Sequence, residues 1–580
     1  MGNGDRDIFS FSGTVTAVLL LLAFMGLSYS AALQKSPTFD EPLHLYAGYS
    51  HLRWGDFRVN PEHPPLAKIL AALPLLATGV DASSITARER DRVQVKKRYG
   101  WNLADRFFLA NARTPGFIAY PKLVMICLAA GLGILVFLCA RDLYGELAAL
   151  AALSLYCLDP NITAHSSIIH TDVPFALFFF AGTYAFWRAS CRLTWPNLLG
   201  TALCFALAAV TKFSFLVILP VWALLGVVLA LSPQPQYSEI TSPRVLTSAW
   251  HKIALVLAAV ALAVFAAYGA IWAVHGLRFD AVGGQTGRLR IGLLATEESW
   301  LGTVALLNAR YLLIPEAWLY GLLDATRRFD RPSYLLGAVS EHGSWLYFPV
   351  AFLVKTPVPV LAAIAISVVL SPFRRLRPSR DDLFLLIPAL VFFSAAAGSK
   401  LNIGLRHILP VYPFLFVFLG GRVAVLWSCG SRWARWALLF LAAWLLAGWV
   451  KTYPDYLAFF NELAGGPRNG SRYLVDSNLD WGQDLPGLKR WMDEHKARKI
   501  ELAYFGTVNP AAYGIDATPL PGSLVFSPWS GNAASEPADY VAISATFLAG
   551  LYLPKDFYAG YRAEAPVASI GHSILIFRKK

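Results

Sequence analysis

At 580 residues, with 56% hydrophobic and only 15% charged side chains, the chain is too apolar for a string of soluble domains and has the composition of a membrane protein. Its net charge of +13 suits anionic lipids and phosphate ligands, and a membrane topology excludes nucleic acid as a partner. No Walker loop, dinucleotide-binding glycine loop or H-E-x-x-H helix is present, which excludes soluble-nucleotide chemistry and zinc proteolysis.

The first apolar run, residues 11–32 (FSGTVTAVLLLLAFMGLSYSAA), is long enough to span a bilayer. The preceding GDRDIF lacks the net positive charge of a secretory signal, so the run is read as a retained span. Further spans are expected near 117–140, 145–159, 172–188, 197–212, 214–231, 253–275, 345–370, 383–398, 405–421 and 436–451, about eleven in all. Arg141, Arg188, Arg192, the cluster Arg374, Arg375, Arg377 and Arg380, and Arg422, Arg432 and Arg435 then share one side. The opposite short loops carry only Lys212, Lys400 and Arg406. The positive-inside rule puts the N-terminus in the cytoplasm of a multi-pass inner (plasma) membrane protein. Loops 33–116 and 276–344 and the tail beyond 451 fall outside.

Loop 33–116 is too long to be a connector. Its PPLAKILAALPLLATG is an expected interfacial helix, and 84–113 an expected solvated amphipathic helix near the headgroups. Loop 276–344, with Arg278, Arg288 and Arg290 and the amphipathic TVALLNARYLLIPEAWLYGLL, is suited to cap a cleft. Residues 1–451 thus form a transmembrane domain and 452–580 a small external α/β domain. In the latter, YLVDSNLDWGQDLPGLKRWMDEHKARKIELAYFG reads as strand or turn, helix and strand, and SLVFSP, DYVAISA and ASIGHSILIFRKK as further strands. All six cysteines fall in spans or cytoplasmic loops, so no external disulfide framework is expected.

Chemistry concentrates on the outer side. Asp40 and Glu41 follow the first span, with His44 close behind; an acid pair before a proline also suits a helix start. PEHPPLAK brings Glu62, His63 and Lys68 to the same loop, and IIHTDVPF brings His170 and Asp172 to the start of a span. Lys212, Lys355, Arg406 and His407 lie at or below the same face, where ionisable groups are functional candidates. His165 and His170 are read as helix-end hydrogen bonders. No tight ligand spacing demands a divalent cation, so neither a metal nor another cofactor is expected. One or two acids beside several cations suit group transfer from a phosphate-linked lipid. A carboxylate takes the acceptor's proton while Lys and Arg stabilise the departing phosphate.

The order of FDEPLHLYAGYSHLRWGDF, NPEHPPLAKIL, HSSIIHTDVPFALFFF, SWLYFPVAFLVKTP and GLRHILPVYPFLFVFLG resembles the GT-C membrane glycosyltransferases, over residues 11 to about 425. Within them it is most similar to the protein O-mannosyltransferase and aminoarabinose-lipid A transferase group. The stretch from YLAFFNELAGG to LPGLKRW is similar to the tail of many bacterial members. The resemblance implies inverting transfer of a sugar from a polyprenyl-phosphate donor to a hydroxyl on a lipid, glycan or protein. It makes Asp40 the catalytic acid with Glu41 its neighbour, and Glu62, His63 and Lys68 a substrate-lining segment. Asp172 becomes the acid of a TD element, and Lys355 and Arg406 face donor phosphate. The tail does not resemble the β-trefoil of eukaryotic O-mannosyltransferases. A transporter or lipid flippase would more naturally show broken helices in two related halves. A non-catalytic scaffold would not need the outer cluster of acids and cations.

Overall fold

In the computed structural model, which describes residues 11–92, 98–240, 244–283, 300–327, 331–373, 376–529 and 537–579, every expected span holds helix. The reason is the lipid itself: a helix pairs each backbone amide and carbonyl within its own segment, where no water can. The eleven expected places hold Phe11–Ala32, Ala119–Tyr144, Glu146–Cys157, Asp172–Cys191, Trp195–Ala209, Ile218–Leu231, Ala249–Val274, Tyr347–Lys355 with Val358–Leu370, Arg380–Ala397, Val411–Cys429 and Arg432–Thr452. Arg288, Arg290, Arg374 and Arg375 lie outside the described residues.

Two of the expected spans are sharply bent. Among the described residues six helices are long and apolar enough to cross a membrane by themselves, and up to eight if two bent pairs each count as one span. Glu146–Cys157 turns by 66° into Pro160–Ser166, where Asp159 caps the new helix through the Asn161 and Ile162 amides. Tyr347–Lys355 turns by 111° into Val358–Leu370 across Thr356-Pro357. Of the others, Trp195–Ala209 has only 15 residues, and Arg380–Ala397 opens on Asp381 and Asp382 and contains Pro388.

Loop 33–116 builds a platform at one end of the bundle. Helix Glu41–Trp54 crosses Leu66–Ala72 so closely that a Cβ on Gly48 would lie 2.0 Å from the Lys68 carbonyl oxygen. Helix Arg98–Asn111 packs Phe107 against Tyr46 and Tyr49. Its polar side reaches the tail: Asn102 donates to the Phe526 carbonyl at 3.2 Å and Ser527 to Asp105 at 2.6 Å. The segment expected to lie solvated among headgroups is therefore a strut between loop and tail. Leu73 and Leu76, by contrast, are exposed, as an interfacial helix requires.

The tail forms a five-stranded mixed sheet in the order Ala517–Pro519, Ile500–Ala503, Tyr540–Ser544, Ile574–Arg578, Ala568–Ile570. Ile500–Ala503 runs parallel to both neighbours, and the remaining pairings are antiparallel. SLVFSP is not a strand: it passes between Pro521 and Pro528 and gives Phe526 and Ser527 to the strut. A single apolar cluster joins Leu43, Tyr46 and Leu103 of the first loop to Leu485, Ile500 and Ile574 of the tail. The two share a core.

Candidate active site

Asp40 sits at the N-cap position of Glu41–Trp54, yet its side chain makes no capping hydrogen bond. Capping therefore does not account for this acid. Instead its Oδ2 lies 3.5 Å from His170 Nε2 and 3.6 Å from Arg406 Nη2, with the side chain 24% exposed. Burial alone would raise this carboxyl, but the hydrogen bond from His170 and the charge of Arg406 outweigh it and hold the group well below the usual carboxylate range.

Glu41, one residue on, is sealed away. Its carboxylate accepts from the Thr38 amide at 2.6 Å and the Ile169 amide at 3.0 Å, and pairs with Lys122 at 3.1 Å. It ties the approach to Asp40 onto the approach to Asp172.

The bend 167–171 supplies a ring that sequence reading set aside. His170 Nδ1 lies 2.8 Å from Asp172 Oδ2, and Arg406 Nη1 lies 2.8 Å from His170 Nε2. Asp172 is further paired with Lys212 and lies 3.6 Å from Arg406 Nη1. Asp40, His170, Asp172, Lys212 and Arg406 thus form one network drawn from four segments. The HTD run beside the chosen Asp172 was the available signal for His170. His165 is buried one turn earlier.

His44 and His63 flank that network, with ring centroids 5.0 Å apart. Burial, reinforced by the neighbouring His170, pushes both imidazoles well below their ordinary range and keeps them neutral. His63 and Lys68 line a small pocket with His51, His275 and Trp318. Lys68 donates to the Asn60 and His63 carbonyls, each at 2.7 Å, and so clasps the PEHPP turn. Burial pushes its amine down to about 7, with Glu62 the charge that opposes the shift. His407 packs against Phe348.

Lys355 stands apart. Its amine donates to the Leu457 carbonyl at 2.9 Å and the Asn478 carbonyl at 2.6 Å, over the face of Phe460. Asn478 belongs to a tail loop, 476–483, in which sequence reading singled out no residue. Around it, Asn478 Oδ1 accepts from the Leu405 amide and Ser477 Oγ accepts from Arg406 Nε at 3.2 Å, while Trp481 lies 4.2 Å under the Arg406 guanidinium. A Cβ on Gly404 would come within 2.1 Å of Ser477 Oγ, so glycine is required for this approach. The same loop binds the segment leading to Asp40: the Ser36 amide donates to the Gln483 carbonyl and the Phe39 amide to the Trp481 carbonyl, at 2.9 and 2.8 Å. Asp480 anchors the loop to the sheet by accepting from Ser544 Oγ at 2.7 Å and the Thr546 amide at 3.0 Å. Burial pushes it up to about 7.

No family model and no curated protein matches the chain. Among solved structures it is similar to ArnT from Cupriavidus metallidurans in the apo state, with 11% identity, 98% of each chain covered and a TM-score of 0.48. The undecaprenyl phosphate-bound form of that protein gives 13%, 98% of each chain and 0.49. The S. cerevisiae protein O-mannosyltransferase Pmt1-Pmt2 complex bound to the sugar donor gives 12%, 77% of this chain, 90% of that chain and 0.47.

Proposed function

We propose that the protein is a membrane glycosyltransferase of the GT-C type, moving a sugar from a polyprenyl-phosphate donor to a hydroxyl acceptor. The observation that carries this reading is Asp40: an N-cap acid that does not cap, partly open, and held between His170 and Arg406. The five motifs of the sequence, in their order, point to the same chemistry.

In this reaction the Asp40 carboxylate takes the proton of the acceptor hydroxyl. The hydroxyl oxygen attacks the anomeric carbon, the bond from that carbon to the phosphate oxygen breaks, and the polyprenyl phosphate leaves with inversion. Arg406 meets the charge that develops on the leaving oxygen, where a fixed cation is most effective. When the phosphate takes the guanidinium, Asp40 loses that pairing and its basicity rises toward the ordinary range. Asp172 and His170 hold Arg406 and Lys212 in place beforehand. His44, Glu62, His63 and His407 line the surroundings of the network, and Lys68 shapes the turn that carries Glu62 and His63. Glu41 is a positioning residue, and so is Lys355. The site lies on the external face of the inner membrane, with the N-terminus cytoplasmic and the tail outside.

The experiment is sugar transfer by the purified protein, followed as release of polyprenyl phosphate from a polyprenyl-phosphate sugar. Turnover by the native chain and none by Asp40→Asn is the expected result. Undiminished turnover in that variant would sink the assignment of the base.

A further inference from the structure

Three imidazoles from three separate segments meet beside Asp40. His44 comes from the first turn of Glu41–Trp54, His63 from the proline-rich turn before Leu66–Ala72, and His170 from the bend before Asp172–Cys191. The ring centroids are 5.0 Å apart for His44 and His63, 4.7 Å for His44 and His170, and 5.3 Å for His63 and His170. One nitrogen from each lies within 4.8 Å of the other two. Contributions from segments this far apart in the chain leave no short motif, and spacing along the sequence therefore did not demand a metal.

Two further observations point to a ligand. His44 Nδ1 is buried and has no hydrogen-bond partner among the described residues, which folded proteins rarely tolerate without a purpose. His170 has a carboxylate in the place of the outer partner of metal-bound histidine: Asp172 Oδ2 lies 2.8 Å from Nδ1, near enough to accept its proton after a small rotation of the ring. Its other nitrogen, Nε2, then faces Arg406 Nη1 at 2.8 Å and Asp40 Oδ2 at 3.5 Å.

We propose that His44, His63 and His170 form a binding site for one divalent transition-metal ion of the zinc class, with Asp172 orienting His170 and Asp40 the nearest anion to a fourth position. Imidazole ligands suit zinc, copper, iron or nickel, whereas magnesium and calcium take oxygen. Three protein nitrogens with one position left over is the pattern of zinc sites that bind a water or a substrate oxygen. Zinc–nitrogen bonds of about 2.0–2.1 Å set the nitrogens roughly 3.4 Å apart, so the rings draw together by up to about 1.4 Å on binding. Arg406 gives up His170 Nε2 and keeps Ser477 and Trp481. Asp40 and Asp172 offset the charge of the nearby Lys212 and Arg406. The site stands on these side chains alone and does not depend on the transferase reading.

The test is metal binding by the purified full-length protein, stripped with a chelator and titrated with zinc chloride. The native chain should take up one ion and gain thermal stability, and cobalt(II) should give the visible absorption of a four-coordinate site. His44→Gln and His63→Gln should each weaken binding by more than about 100-fold, beyond the loss an outer partner causes. Should His44→Gln fail to fold, His63→Gln, at the least buried of the three positions, decides the matter alone. No uptake by the native chain, or equal uptake by His63→Gln, overturns the site whatever sugar-transfer assays report.

Discussion

Around Asp40 buried cations meet carboxylates: Arg406 and Lys212 share Asp40 and Asp172, with contacts as loose as 3.6 Å. Elsewhere they meet main-chain carbonyls. Lys355 is fixed between two of them under the tail, and Lys68 between two others beneath the PEHPP turn. The difference teaches what each cation can do. A guanidinium loosely shared by carboxylates can exchange one anion for another, since an arriving phosphate replaces like with like. An ammonium held by carbonyls cannot leave without orphaning those acceptors, at a cost of about 1–3 kcal/mol. In a sequence all four positions look alike, as charges at the edge of a membrane.

The comparison breaks most sharply at Asp40. Asp40→Asn should lower turnover by about 10²–10⁴-fold, the span expected for loss of a general base, while the thermal midpoint stays near that of the native chain. A midpoint that collapsed with the activity would make Asp40 structural and erase the contrast. Gly404→Ala should come next. The added Cβ displaces Ser477 from Arg406, and a misplacement of this order costs roughly 10²-fold in kcat/KM. Adding Ser477→Gly to that variant removes the colliding atom and should recover part of the rate; no recovery would deny the loop its positioning role.

Lys355→Met sharpens the other side. It should lose about 1–3 kcal/mol of stability and keep turnover within roughly tenfold. The reverse outcome, a stable chain with no transfer, would move Lys355 into the substrate site. The smallest effect concerns pH. Asp480 is raised in the folded chain from an ordinary 3.8 to about 7, so its contribution to stability is present in full below 3.8 and lost as pH rises through 7. Thermal midpoints of Asp480→Asn should therefore fall less than those of the native chain between pH 4 and 7.

Helices were legible because length and apolarity are local properties: the first span runs over Phe11–Ala32, the residues its composition marks. Bends were not, because Asp159 and Pro357 act only where the neighbouring helices leave room for a turn. Four of the five residues in the Asp40 network stood out as charges on one side of the bundle. His170 did not, since a histidine beside a helix start reads equally well as a local hydrogen bonder. Glu41 and Asp40 are adjacent and chemically alike, and only the fold separates the sealed one from the open one. The tail loop lay in a stretch the resemblance marked, but its contacts were invisible for a plainer reason: Trp481 and Arg406 meet across 75 residues, and Trp481 and Phe39 across more than 400, and no periodicity encodes such pairings.

Loop 476–483 has a consequence for how the protein is made. A nascent chain delivers Asp40 to its place long before Trp481 has been synthesised, and N-terminal parts settle first. Until that loop arrives, Arg406 has no aromatic floor and the Ser36 and Phe39 amides lack their acceptors. On the proposed reading, the site around Arg406 is therefore incomplete until residues 476–483 are in place.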